Sequence, residues 1–182
     1  MSKIAAQDRL ILALDVPSAE EADRLMRRVE GTVRFVKIGL ELYTAAGPDI
    51  AKRGLGRGNR VFLDLKFLDI DETVRRATAR VADLGVEFLT VHANRKALNA
   101  AVEGREEHPL KLLAVTVLTN FDSADLRDMG IQWSVADLVV ARAKLAAELG
   151  CDGVVASGEE PATIRRNVGP KLLIVTPGIR PA

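Results

Sequence analysis

The sequence holds a single cysteine, Cys151, among 182 residues. One thiol excludes an internal disulfide framework and fits a reducing compartment. Cys151 stands between Gly150 and a predicted strand, which marks it as a small buried filler rather than a nucleophile. Long apolar runs are missing as well. No stretch approaches the roughly 20 residues a bilayer demands, and Met-Ser-Lys-Ile at the start lacks the apolar core of a signal peptide. No membrane partner is expected, and the expected location is cytoplasmic. Neither sign of charge dominates: Lys and Arg total 26 against 25 for Asp and Glu, a formal charge of +1 without a block of one kind. Nucleic acid is therefore not expected as a partner. No Gly-x-Gly-x-x-Gly opens the first helix, so a dinucleotide fold lacks its main signature. The glycine run Gly54-Leu-Gly-Arg-Gly58 precedes a strand and has no Lys-Ser/Thr of a phosphate loop, so it reads as a plain turn.

What is present is a regular alternation. With 48% hydrophobic and 28% charged residues the chain can bury one substantial core. Apolar runs at 9–15, 33–40, 61–67, 86–92, 111–118, 152–156 and 172–176 read as buried strands. Helices fill the gaps. Ser18 with Glu21 makes a capping box for a helix that ends at Gly31. Further helices are expected over 45–52, 72–84 and 96–103. The insertion 121–133 carries a short helix that Trp133 packs down. Ser134 with Asp137 caps a helix through Leu149, and Ser157 with Glu160 caps another.

A strand-helix repeat of about 25 residues implies a parallel sheet of right-handed βαβ units. Polar groups collect at the C-terminal ends of successive strands: Asp15, Lys37, the Asp64/Lys66 pair, His92, and Thr119 with Asn120. In a (β/α)8 TIM barrel those ends converge on one mouth, where the active site sits. That is the expected fold: α/β, one barrel domain over 1–182. Only seven strands can be counted, so the eighth βα unit is expected to be missing from this chain, and the domain reads as truncated after strand seven. Along the third strand Asp64 and Lys66 alternate onto one side, roughly 7 Å apart at Cα. Asp69 follows where the strand has ended. An isolated surface salt bridge needs two charges, not three, so a site is favoured. A lone His92 on an apolar strand reads as a satisfied core residue.

Taken in order, Leu14-Asp15, Val36-Lys37-Ile-Gly39, Asp64-Leu-Lys-Phe-Leu-Asp69-Ile, Val91-His92-Ala93, Val117-Leu-Thr119 and Val175-Thr-Pro-Gly-Ile-Arg-Pro181 resemble the orotidine 5′-phosphate decarboxylase family. The Asp-x-Lys-x-x-Asp signature is shared with sister sugar-phosphate enzymes of the ribulose-phosphate-binding barrel superfamily, whereas the closing Thr-Pro-Gly-Ile-Arg-Pro is more selective for the orotidylate branch.

The resemblance implies a lyase of de novo pyrimidine biosynthesis that turns orotidine 5′-monophosphate into uridine 5′-monophosphate with neither cofactor nor metal. It implies that Lys66 protonates pyrimidine C6 as the carboxylate leaves. Asp64 sits against that carboxylate, and Lys37 pairs with Asp64 and the ribose. Asp69 reaches in from a second subunit, so a homodimer with a composite active site is expected. Asp15 binds a ribose hydroxyl, Thr73 of the partner chain joins it, Thr119 faces the base, and Arg180 approaches the phosphate. Two other readings stay open. One is a sister enzyme acting on a keto-sugar phosphate, with Mg²⁺ and a Glu beside Asp64. The other is a truncated or engineered barrel that serves as a scaffold with impaired catalysis.

Overall fold

Side-chain caps mark where four of the helices among the described residues begin, one of them through Asp122, which accepts the amides of Ala124 and Asp125. A side-chain oxygen at an N-cap satisfies an amide that has no partner within the helix. Ser18 accepts the Glu21 N–H at 3.3 Å and opens α1, Ala19–Arg28. Asn94 accepts the amides of Lys96 and Ala97 and opens α5, Arg95–Arg105. Ser134 accepts the Asp137 N–H and opens α7, Val135–Glu148. The remaining helices are α2 (Leu40–Ala46), α3 (Asp49–Gly56), α4 (Asp71–Asp83), α6 (Ser123–Asp128) and α8 (Pro161–Val168). The computed structural model describes residues 4, 5 and 8–179.

Several expectations change in detail. The helix expected over 45–52 is two helices, α2 and α3, because Pro48 cannot continue an α-helix from its own N–H. Since α3 runs on to Gly56, the glycine-rich segment is mostly helix and only its end turns. Ser157 does not cap α8. The Glu160 carboxylate instead accepts the Ser157 amide at 2.7 Å, and the helix starts at Pro161, where a missing N–H costs nothing. Trp133 is 55% exposed and does not pin the insertion; Leu126, 1% exposed, does so from α6.

Between the helices lie β1 (Ile11–Ala13), β2 (Phe35–Gly39), β3 (Arg60–Phe67), β4 (Phe88–His92), β5 (Lys111–Val115), β6 (Gly153–Val155) and β7 (Leu173–Val175). Among the described residues they form one sheet, all parallel, in sequence order. The sheet is rolled. Ile11 of β1 and Val175 of β7, from its two ends, pack on the same interior cluster of Phe35, Phe62, Phe88 and Leu113. The outward-facing residues, such as Val36, Ile38, Leu63, Leu89, Leu112 and Val154, join the second and larger cluster beneath the helices. Alternation along each strand thus divides one apolar sequence between two cores. The seven strands make a TIM-type barrel wall lacking one βα unit. Inside it, Gly153 is sterically required: a Cβ there would meet Leu173 Cβ at 2.7 Å and Leu113 Cδ2 at 2.8 Å.

The bottom of the barrel is closed by charges laid over rings. Phe35 and Phe88 stack at 5.0 Å, and Phe62 meets Phe88 edge-on at 5.8 Å. Arg60, at the start of β3, lies 4.5 Å over the Phe35 ring, and Lys111, at the start of β5, lies 5.7 Å over Phe88. Both cations converge on Glu87. Arg60 donates to it through two nitrogens and Lys111 at 2.7 Å, while Arg60 also reaches Asp8 at 2.7 Å.

The Arg60 hydrogen bonds, opposed by burial and aided by Lys111, hold the Glu87 carboxyl down to about 2, against 4.5 for an ordinary glutamate. Because the folded value is depressed, its contribution is complete above about pH 4.5 and is lost as pH falls toward 2. Glu87→Gln should therefore lower stability by on the order of 2 kcal/mol at neutral pH. Urea titrations of both proteins should show that gap closing between those two pH values.

Candidate active site

At the opposite end of the barrel the strand termini carry polar groups. β1 delivers Asp15 two residues past its end, β2 delivers Lys37, and β3 delivers Asp64 and Lys66. These four form one alternating line. Lys37 Nζ lies 3.0 Å from Asp15 Oδ1 and 3.6 Å from Asp64 Oδ2, and Lys66 Nζ donates to Asp64 Oδ1 at 2.9 Å. Lys37 and Asp64 have side chains only 16% exposed, whereas Asp15 is 61% exposed and faces the opening. Gly39 leaves the space for this line, since a Cβ there would sit 3.3 Å from Asp15 Oδ1 and 3.5 Å from Lys37 Nζ. Half-buried carboxylates and ammoniums survive desolvation only by pairing in this way.

The strand that carries Asp64 and Lys66 is not regular. β3 and β4 are in register at Leu63 with Leu89 and again at Phe67 with Val91. Asp64, Leu65 and Lys66 therefore stand opposite one residue, Thr90. Lys66 has φ 50°, the left-handed region, which costs a side-chain-bearing residue about 1–2 kcal/mol. Thr90, fully buried, accepts the Lys66 N–H at 2.9 Å and donates to Asp64 Oδ1 at 2.9 Å. Strand alternation correctly put Asp64 and Lys66 on one side, but it predicted neither this bulge nor Thr90. A lone hydroxyl in the otherwise apolar Phe-Leu-Thr-Val was the available signal.

Two more groups border the mouth. His92 ends β4 half-buried. Burial first, then the cations of Arg142 and Lys66, push its pKa below the usual value, so it is a neutral imidazole at neutral pH. Arg142 of α7 donates to the Thr116 carbonyl just past β5, and burial pushes its own pKa down. It went unrecognised in the sequence because nothing in a helical Ala-Arg-Ala shows which way the arginine reaches. Thr119 is exposed and lines a cleft of about 370 Å³ with Val117, Phe121, Ser157 and Glu160. Asp69 does not join the line of charges. It is exposed and its Oδ1 accepts the Ile70 amide at 2.6 Å; Thr73, in the first turn of α4, is exposed too. Arg180 lies outside the described residues.

Residues 8–182 match the Orotidine 5′-phosphate decarboxylase / HUMPS family. The chain belongs to this family. It is 49% identical over 177 residues to the orotidine 5′-phosphate decarboxylase of Nitrobacter winogradskyi, covering 97% of this chain and 74% of that protein. A Rhodopseudomonas palustris protein of the same name is 48% identical over 179 residues, covering 98% and 76%. The crystal structure of orotidine 5′-phosphate decarboxylase from Lactobacillus acidophilus superposes with a TM-score of 0.87 at 37% identity, covering 94% of this chain and 81% of that one.

Beside this family's mouth the single thiol has no part. Cys151 is 7% exposed, and burial, with Asp152 next to it, pushes its pKa up to about 12. Thiolate is the reactive form. At mildly alkaline pH the native protein should react with a colorimetric disulfide reagent at least ~100-fold more slowly than the protein in denaturant. Fast reaction of the folded chain would disprove the buried placement.

Proposed function

We propose that this chain decarboxylates orotidine 5′-monophosphate to uridine 5′-monophosphate in pyrimidine nucleotide synthesis, as a cytoplasmic enzyme that needs no cofactor or metal. The observation that carries the reading is the alternating line Asp15, Lys37, Asp64, Lys66 at the barrel mouth, in a chain of this family. When the bond from C6 to the carboxylate breaks, its electron pair stays on C6 and carbon dioxide departs. An ammonium held beside C6 stabilises that charge and then supplies the proton. Lys66 is the group for this step, and it regains a proton from solvent afterwards. Asp64 aims it, Lys37 offsets the charge of Asp64, and Asp15 is open enough to receive a ribose hydroxyl. Thr119 faces the base and Arg180 the phosphate.

The runner-up chemistry, a Mg²⁺-dependent reaction of a keto-sugar phosphate, asks for a Glu beside Asp64. Among the described residues the polar partners of Asp64 are Lys37, Lys66 and Thr90, and no Glu is one of them.

The working unit in this reading is a homodimer. Asp69 sits where β3 has ended, outside its own line of charges, between Leu68 and Ile70, which are 57% and 73% exposed. Apolar residues exposed on both sides of a carboxylate fit a contact with a second copy, into whose mouth Asp69 and Thr73 project.

Loss of the orotate absorbance should follow addition of the chain to orotidine 5′-monophosphate, at a rate unchanged by EDTA. Lys66→Ala should lower kcat by at least about 10³-fold. A requirement for Mg²⁺ would transfer the assignment to the sister chemistry.

The composite site has its own test. Lys66→Ala and Asp69→Ala chains, each inactive, should recover activity on mixing, because one site of a mixed dimer carries neither lesion. Random exchange makes about half the dimers mixed, so about a quarter of wild-type activity should return. No recovery after demonstrated exchange would assign Asp69 to its own subunit.

A further inference from the structure

We infer that Thr90 is the positioning residue that holds Lys66 and Asp64 in working geometry, through a single hydroxyl shared between the β3 backbone and the Asp64 carboxylate. The inference rests on the decarboxylase reading for its kinetic consequence, but not for its structural one.

The argument begins with the bulge. Where β3 spends Asp64, Leu65 and Lys66 opposite one residue of β4, the parallel ladder has no carbonyl to offer the Lys66 amide. A buried N–H left alone costs about 1–3 kcal/mol, and the left-handed backbone of Lys66 adds to that. Thr90 Oγ1 accepts that amide at 2.9 Å. An amide always donates, so the hydroxyl oxygen is committed as its acceptor. The one hydroxyl proton must then point elsewhere, and it points at Asp64 Oδ1, 2.9 Å away. A hydroxyl has only one proton to give, so the two bonds have fixed directions and fix each other.

The consequence passes along the line of charges. Asp64 Oδ1 receives both the Thr90 hydroxyl and the Lys66 ammonium, which leaves Oδ2 to Lys37. Thr90 thus sets the Asp64 rotamer directly and the Lys66 side chain twice over, through its backbone and through its carboxylate partner. Thr90 itself is fully buried between Leu89 and Val91 on a strand paired on both sides, so its hydroxyl is held from all sides. It lies behind the reacting groups rather than among them. A misplacement of about 1 Å at a catalytic group costs on the order of 100-fold in rate.

The test compares Thr90→Val, which keeps the branched shape and removes both hydrogen bonds, with Thr90→Ser, which keeps the hydroxyl. Exchange of the Lys66 backbone amide, followed by NMR, should be slow in the wild type and in Thr90→Ser and at least ~10-fold faster in Thr90→Val. In turnover of orotidine 5′-monophosphate, Thr90→Val should lose about 30- to 100-fold in kcat with KM changed less than about threefold. Thr90→Ser should stay within about fivefold of the wild type. If Thr90→Val does not fold, Thr90→Ala takes its place in both arms. Unchanged Lys66 exchange in the hydroxyl-free variant overturns the inference, as does equal loss of kcat in Thr90→Ser and Thr90→Val, which marks a packing role. A wild-type chain that turns over no substrate, yet shows the expected exchange pattern, refutes the decarboxylase reading and leaves the positioning role supported.

Discussion

Everything at the mouth of this barrel depends on one carboxylate whose two oxygens are both engaged by donors. Asp64 is bonded by the Lys66 ammonium and the Thr90 hydroxyl at one oxygen and faces the Lys37 ammonium with the other. A charge that far from bulk water is tolerated only when surrounded by donors. Three donors from three strands meet that demand, and in doing so they pull β2, β3 and β4 into one fixed arrangement. The alternation of sign then extends outward through Lys37 to Asp15. Because Lys37 and Asp64 each lie between opposite charges, removing either of them leaves an end of the line uncompensated.

The two ends of the barrel use similar groups for different ends. At the bottom, Glu87 is taken by Arg60 and Lys111, whose cations in turn cover the Phe35 and Phe88 rings. Every charge there is matched by a fixed partner, and the interior immediately above is aromatic. That is a plug. At the top, Asp15 keeps most of its surface, and Arg142 has only a backbone carbonyl for a partner among the described residues. Charges left unfinished are what a binding site requires.

The sequence made the strand-helix alternation legible because the strands are apolar on both faces and several helices, α1, α5, α6 and α7, open on a side-chain cap. The clustering of Asp15, Lys37, Asp64 and Lys66 was legible for the same reason: in a parallel barrel the last residues of successive strands have nowhere to go but the same mouth. What was hidden depends on register. Which residue of β4 stands opposite Lys66 is decided by two extra residues in β3, and nothing in Asp-Leu-Lys-Phe announces a left-handed lysine. Trp133 misled in the opposite direction. A large aromatic is a good candidate for burial on composition alone, yet the short helix before it already meets the barrel through Leu126 while Trp133 stays more than half exposed.

The electrostatics of the mouth follow from the same packing. Three cations, Lys37, Lys66 and Arg142, face two carboxylates, Asp15 and Asp64, and the imidazole between two of those cations is held neutral by its burial and by their charge. A protonated His92 would add a further positive charge at the strand ends. Even without that charge, the surplus cation keeps the opening attractive to an anion. Arg142 supplies that cation from a helix rather than a strand: it is fixed by the Thr116 carbonyl and has no acidic partner among the described residues.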